Sequence, residues 1–188
     1  MLNRFYDKYI FVGGLKYQHN NFYLMGIPFV MIPTQLLLSE KLVNDHDFNK
    51  KIYYTVKSAM AKTVKGGFGV DFKLEGDQGL ALLQEYFSSS GWGLISQLDV
   101  DKPNKRAIMV VNSSPVAAAL SGKAKVPVDH FLRGIFAGIF SVYFGAVVDC
   151  VETECMVTKD ERCKFVVKKT SEFDFSNENV KQQINPEE

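Results

Sequence analysis

Strand-like runs occupy three stretches of the chain, and residues with the helical period fill the spaces between them. Residues 8–16 and 21–32 are rich in β-formers and flank the polar turn Gln18-His19-Asn20-Asn21, which predicts a hairpin. A short helix is expected over 34–45, where Leu36, Leu37, Leu38 and Leu42 crowd one side. A longer one is expected over 46–65. There Phe48, Ile52, Val56, Ala59 and Met60 recur at three- and four-residue intervals, and Gly66-Gly67 supply a stop. Over 76–90, Leu80, Leu83 and Phe87 form one stripe, which Gly91-Trp92-Gly93 breaks. Two period-two runs, 94–101 and 106–113, are joined by Lys102-Pro103-Asn104-Lys105, where Pro removes nothing from a ladder. Ser113-Ser114-Pro115 then opens a short helix with a capping Ser and a Pro in its first turn.

The next helix, about 129–145, is apolar almost all round and is therefore expected at the centre of the molecule. Strands over 146–157 and 162–169 close the pattern, turned by Thr158-Lys159-Asp160-Glu161. From Ser171 the chain turns polar, so 171–188 is expected to be a flexible tail behind a single domain over 1–170. Hairpin, helices, hairpin, helix, hairpin is the order of an α+β domain with an antiparallel sheet and helices packed on it.

Composition narrows the function classes. With 22 Lys+Arg against 21 Asp+Glu the formal charge is +1, so there is no field to gather nucleic acid or anionic lipid. The most apolar run, 134–148, has 15 uncharged residues, short of the ~20 that a membrane-spanning helix needs. Fifteen Phe, eight Tyr and one Trp point to a thick core, an internal pocket or an apolar interface. Three cysteines are an odd number, which argues against a disulfide framework and for a reducing compartment. No apolar leader is read near the N-terminus, because Asp7 and Lys8 interrupt it, and a cytoplasmic location is expected.

Reactive residue types gather in the closing hairpin, which carries Cys150, Glu152, Glu154, Cys155 and Cys163, with Asp129 and His130 upstream at the helix start. Thiolates on facing strands can meet at one spot. With a carboxylate and one further Asp or His they would make a closed four-ligand site of the kind structural zinc prefers. Against this, Glu152 and Cys155 are an odd number of residues apart and face opposite sides of a regular strand, so a shared metal requires a bulge between them. The alternative is that the cysteines are small buried hydrophobes of the core.

The run from His130 to Val167 resembles the C-terminal signature of the 4-vinyl-reductase-type domain. That signature is a helix with G-x3-G (Gly134, Gly138), a strand, then Glu-x2-Cys-x7-Cys-x-Phe, matched by Glu152, Cys155, Cys163 and Phe165. Ile52-Tyr53-Tyr54, Gly91-Trp92-Gly93 and Asn112-Ser113-Ser114-Pro115 are similar as well, so the resemblance spans about 45–170. It implies the fold shared with TRAPP trafficking subunits and haem nitric-oxide sensor domains, a homodimer, and binding of a small hydrophobic molecule. In phenol-sensing activators that carry this domain, the Glu and two Cys hold a zinc together with a Cys at the helix start. Here that position is Asp129, with His130 beside it as the alternative fourth ligand.

The expected function is therefore a sensor-type binding domain for a small hydrophobic or aromatic ligand. Tyr54, Trp92, Phe131, Phe140 and Tyr143 are the candidate lining, and a structural zinc joins the closing hairpin to the central helix. A TRAPP-like scaffold without ligand and a reductase accessory protein are the alternatives. Neither a nucleotide fingerprint nor a catalytic triad is read, and Gly66-Gly67-Phe68-Gly69 lacks the Lys-Ser/Thr of a phosphate loop, so no nucleotide cofactor is expected, and the residues leave open whether the protein is an enzyme. Gly134 and Gly138 are expected to allow either close approach of a second copy or packing on the sheet.

Overall fold

The computed structural model describes residues 15–24, 27–34, 43–68, 74 and 76–186. Its strands are β1 (Leu15–Gln18), β2 (Asn21–Leu24), β3 (Ile27–Phe29), β4 (Leu94–Asp101), β5 (Arg106–Asn112), β6 (Asp149–Glu154) and β7 (Cys163–Lys168). Its α-helices are α1 (His46–Thr63), α2 (Asp77–Phe87), α3 (Pro115–Leu120), α4 (His130–Tyr143) and α5 (Glu178–Gln183). The α+β class expected from the residue pattern is the one observed. The helix expected over 34–45 lies almost wholly outside the described residues, as does the start of the first strand.

Among the described residues, two antiparallel sheets form. The small one has the order β1-β2-β3, and its first turn places His19 and Asn20 at φ of 49° and 62°, the backbone that a two-residue hairpin needs. The main sheet has the order β4-β5-β7-β6. The two later hairpins are thus joined through β5 and β7, where Met109 faces Phe165 and Val111 faces Cys163. This leaves β4 and β6 as the edges.

Helix α4 is sandwiched, which explains its apolar circumference. One side packs on the sheet, with the Phe136 and Phe165 rings 5.2 Å apart. The other side packs on α1. A Cβ at Gly134 would stand 2.7 Å from Val56 Cβ and 2.8 Å from the Tyr53 carbonyl oxygen; at Gly138 it would stand 2.7 Å from Met60 Cβ and 2.8 Å from the Lys57 oxygen. The G-x3-G face therefore serves neither a second copy nor the sheet, but a close, parallel seam between α1 and α4. Asp45 caps α1 by accepting from the Phe48 N–H, and Ser114 caps α3 by accepting from the Ala117 N–H. A wider helical turn over Ser88–Trp92 follows α2 and breaks where Gly91 takes φ of 92°.

The C-terminal segment corrects the expectation of a loose tail. Helix α5 docks against β6 with Val180, Gln183 and Ile184 buried, and Arg133 of α4 donates to the Gln183 carbonyl oxygen at 2.5 Å. Its anchors are the apolar pair Val180 and Ile184, too short a pattern to stand out among polar residues, and hydrogen bonds between side chains and backbone, which leave no period to read.

Candidate metal centre and apolar void

The bulge that a shared site requires is present. Glu152 pairs with Phe165 and Glu154 with Lys164, so Thr153 is an extra residue in β6. The extra residue restores Glu152 and Cys155 to the same, inward face, beside Cys163. One ligand atom from each of Glu152, Cys155 and Cys163 lies within 4.8 Å of the others, and all three residues are buried. The turn after β6 is braced where Cys155 N–H donates to Asp160 Oδ2 at 2.8 Å and Thr158 Oγ1 donates to the Cys155 oxygen at 2.8 Å.

The donors fit a thiophilic cation. The Cys155 and Cys163 sulfurs are 3.9 Å apart. Two thiolates bound at ~2.3 Å in tetrahedral geometry stand about 3.8 Å apart, whereas a disulfide needs about 2 Å. Glu152 Oε2 accepts from the Asp129 N–H at 3.1 Å, but Glu152 Oε1 is buried with no hydrogen-bond partner. Such an orphaned acceptor is costly unless something occupies the space before it. Burial, and then the charge of Asp129, push the Glu152 carboxyl well above its usual range. Cys163 donates toward Cys155, which brings the Cys155 thiol down to about 7 and drives that of Cys163 up. The shift brings Cys155 toward the thiolate form that a metal needs.

The two candidates for a fourth ligand have different surroundings. Asp129 is buried, accepts from Ser114 Oγ at 2.9 and 3.1 Å, and lies within hydrogen-bond reach of the Cys163 thiol; burial lifts its carboxyl to about 6. His130 Nδ1 is 3.1 Å from Arg133 Nη1. A guanidinium only donates, so Nδ1 accepts and the ring proton sits on Nε2, which has no partner. Burial, with Arg133 nearby, keeps the imidazole neutral. Neither residue joins the mutual 4.8 Å set. Cys150 is fully buried and apart from the other two cysteines, as a core residue.

Two features of this region carry no sequence signal. Arg133, a mere boundary of the apolar run, is fully buried. Its Nε donates to the Cys150 oxygen at 3.1 Å and its guanidinium lies 4.3 Å from the Tyr53 ring centroid. Asp149, also buried, accepts from Tyr53 Oη at 2.6 Å, from Lys57 Nζ and from Thr170 Oγ1, which ties α1 to the start of β6 and the end of β7.

The candidate lining residues do not converge. An apolar void of about 10 Å³ lies between α2, α4, β4 and β5, walled by Leu83, Phe87, Ile95, Met109, Phe136 and Phe140 among others, with Gln84 the polar group at its margin. Only Phe140 of the five expected residues reaches it. Tyr143 is a turn further along α4, where its hydroxyl donates to Asp77 and Lys102 Nζ sits 4.4 Å from its ring centroid. Trp92 and Phe131 face one another with centroids 6.2 Å apart. Tyr54 stands elsewhere, its hydroxyl accepting from the Asn185 N–H at 2.7 Å. Among the described residues, no helix is long and apolar enough to cross a membrane.

Residues 108–169 match the V4R domain family model, so the resemblance drawn from the closing motif holds over that segment. No curated protein matches the chain by sequence. Among solved structures, the chain is similar to the phenol-responsive sensory domain of the transcription activator PoxR with phenol. The two are 13% identical with a TM-score of 0.75, over 98% of this chain and 100% of that one, and they share a fold. A trafficking protein particle complex subunit 3 from Naegleria fowleri, covalently bound to palmitic acid, is 12% identical over 72% of this chain and 86% of its own, with a TM-score of 0.46. A vinyl-4-reductase family protein from Methanocaldococcus jannaschii is 17% identical over 74% and 96%, with a TM-score of 0.40.

Proposed function

We propose that this chain, with its V4R segment over 108–169, is a small-molecule-binding sensor domain whose closing hairpin is fastened by a structural zinc. The observation that carries the metal is the buried, unpartnered Glu152 Oε1 beside two thiols 3.9 Å apart. Glu152, Cys155 and Cys163 are the ligands, and Asp129 is the fourth, since His130 Nδ1 is already engaged by Arg133. A zinc bound there would neutralise the thiolates and the buried carboxylates and tie β6 and β7 to the start of α4. With four protein ligands no position remains for a reacting water, so the role is structural.

The ligand class is a small aromatic or other apolar molecule, supported by the V4R match and by the fold shared with a phenol-responsive domain. Its place is the void beside Phe140. At about 10 Å³ that space holds about one water, so a ring enters only if α2 moves off β4 and β5. The same small volume favours a second reading, a TRAPP-like scaffold with a filled core. In the sensor reading the protein works as a homodimer in the reducing cytoplasm, where its thiols stay free.

Native mass spectrometry of the purified chain tests these readings together. The sensor reading expects a dimer, one zinc per chain, and a mass shift or a rise in melting temperature on adding phenol. Zinc-free protein whose Cys163→Ala variant melts unchanged would overturn the metal site. Zinc-bound protein indifferent to a panel of phenols and aliphatic alcohols would favour the scaffold.

A further inference from the structure

Strand β6 is an edge, and at Glu152 its open side is closed by a side chain instead of a strand. Gln183 Oε1 accepts from the Glu152 N–H at 2.9 Å, and Gln183 Nε2 donates to the Glu152 carbonyl oxygen at 2.9 Å. A primary amide offers a donor and an acceptor side by side in one plane, so it can answer both backbone groups of one residue as a neighbouring strand would. The amide is itself held. Asn179 Oδ1 accepts from Gln183 Nε2 at 2.6 Å, and Asn179 Nδ2 donates to the same Glu152 oxygen at 3.2 Å. Behind it, the Gln183 backbone oxygen accepts from the buried Arg133, and Ile184 is fully buried.

Glu152 is also the last paired residue before the bulge, where the ladder with β7 slips by one position. A bulged edge strand is the part of a sheet least constrained by its partner, and here it carries the carboxylate that must point at two thiols. We infer that Gln183 is a positioning residue for the metal site. It clamps the Glu152 backbone at the bulge so that Oε1 is presented to Cys155 and Cys163 before any metal arrives. The inference rests on the zinc reading proposed above. Coupling of this kind is reciprocal: if α5 docking favours the metal, the metal favours α5 docking to the same degree.

Zinc affinity of the full chain, measured by competition with a chromophoric chelator, tests this. Gln183→Leu keeps an apolar side chain of similar length and removes both hydrogen bonds to Glu152; it should bind zinc about 10-fold or more weakly, the usual effect of losing a partner behind a ligand. Asn179→Ala, which removes only the brace on the amide, should show a smaller loss and covers the case that Gln183→Leu does not fold. Val180→Ala loosens the same helix through an apolar contact but keeps the Gln183 amide, so it should weaken zinc binding clearly less than Gln183→Leu does, although it lowers the melting temperature of the metal-free protein. Zinc should also slow carboxypeptidase digestion of the C-terminal segment.

Wild-type affinity in folded Gln183→Leu and in Asn179→Ala would overturn the inference while leaving the metal site intact. So would an equal loss in Val180→Ala, because the effect would then be generic to the helix. A wild-type chain that binds no zinc would instead overturn the metal reading itself, and the inference with it.

Discussion

The closing hairpin and the space behind α2 are both candidate binding regions, yet the polypeptide leaves them in opposite conditions. At the hairpin, a carboxylate oxygen is buried without a partner and two sulfurs sit at metal-bridging distance. Behind α2, apolar side chains leave a space of only about 10 Å³ between them. The difference follows from what each kind of group loses when its partner is missing. A buried polar atom forfeits hydrogen bonds to water and cannot recover them by repacking, so its need for a partner stays visible in the fold. Apolar walls lose only dispersion contacts and can relax toward each other, so an apolar site can be present and almost closed. Polar sites thus declare an absent ligand more clearly than apolar ones.

The largest expected effect breaks the polar side of this comparison. At zinc 1,000-fold above its dissociation constant, binding to the native state alone adds about 4 kcal/mol of stability. Cys163→Ala should lose all of that gain, measured as the zinc-dependent part of denaturant stability, and should lose the stoichiometric metal as well. A zinc response retained by this variant would show that the thiol pair is core. Next in size is Leu83→Ala in the apolar wall, which should cost about 3 kcal/mol, since large-to-small changes in a core leave a cavity. Phenol should restore part of this loss if the void is the ligand space. Restoration by zinc alone, with none by phenol, would make the wall plain core.

Gly138→Ala comes third and strikes the seam that both regions share. Its new Cβ would meet Met60 Cβ at 2.7 Å and the Lys57 oxygen at 2.8 Å, and backbone cannot give way as a side chain tip can. A loss of about 2 kcal/mol is expected from this overpacking. Because α4 carries Asp129 at its start and Phe140 near its end, both the zinc and the phenol responses should weaken. An effect confined to one of them would mean that the two regions are supported independently.

How far these regions were legible in the chain follows the same division. Most elements from α1 to β7 could be read because their apolar residues recur at a regular spacing, as in the alternation of β7, although the residues that α1 buries are Asn49 and Tyr53, beside the stripe through Phe48, Ile52 and Val56. The bulge at Thr153 could be required in advance, because Glu152 and Cys155 are an odd number of residues apart. The partner of Gly134 and Gly138 could not, since small residues announce a close approach without saying to what. Tyr143 follows Phe140 by three residues, about one helical turn, but its hydroxyl donates to Asp77. The docked C-terminus was illegible for the plainest reason. Gln183 holds the Glu152 backbone by two hydrogen bonds and Asn179 by one, and such bonds leave no periodic trace.

The smallest predicted effect sets two neighbours in β6 against each other. Glu152 and Glu154 are two residues apart and would share a face in a regular strand, but the bulge separates their fates. Glu152 turns inward and is fully buried, whereas Glu154 accepts from Lys164 Nζ at 3.1 Å and Arg162 Nε at 3.2 Å on a partly exposed surface. Burial raises the Glu154 carboxyl, but the hydrogen bonds and charges of Lys164 and Arg162 together outweigh it and hold the group below its usual range. Water and salt screen such pairs, so Glu154→Gln should cost less than about 1 kcal/mol, and less still at high ionic strength. Its zinc affinity should equal that of the wild type, in contrast to a Glu152→Gln chain, which loses a charged ligand. A drop in zinc affinity on Glu154→Gln would place both carboxylates on one face, and the strand would then have to lack the bulge on which the site depends.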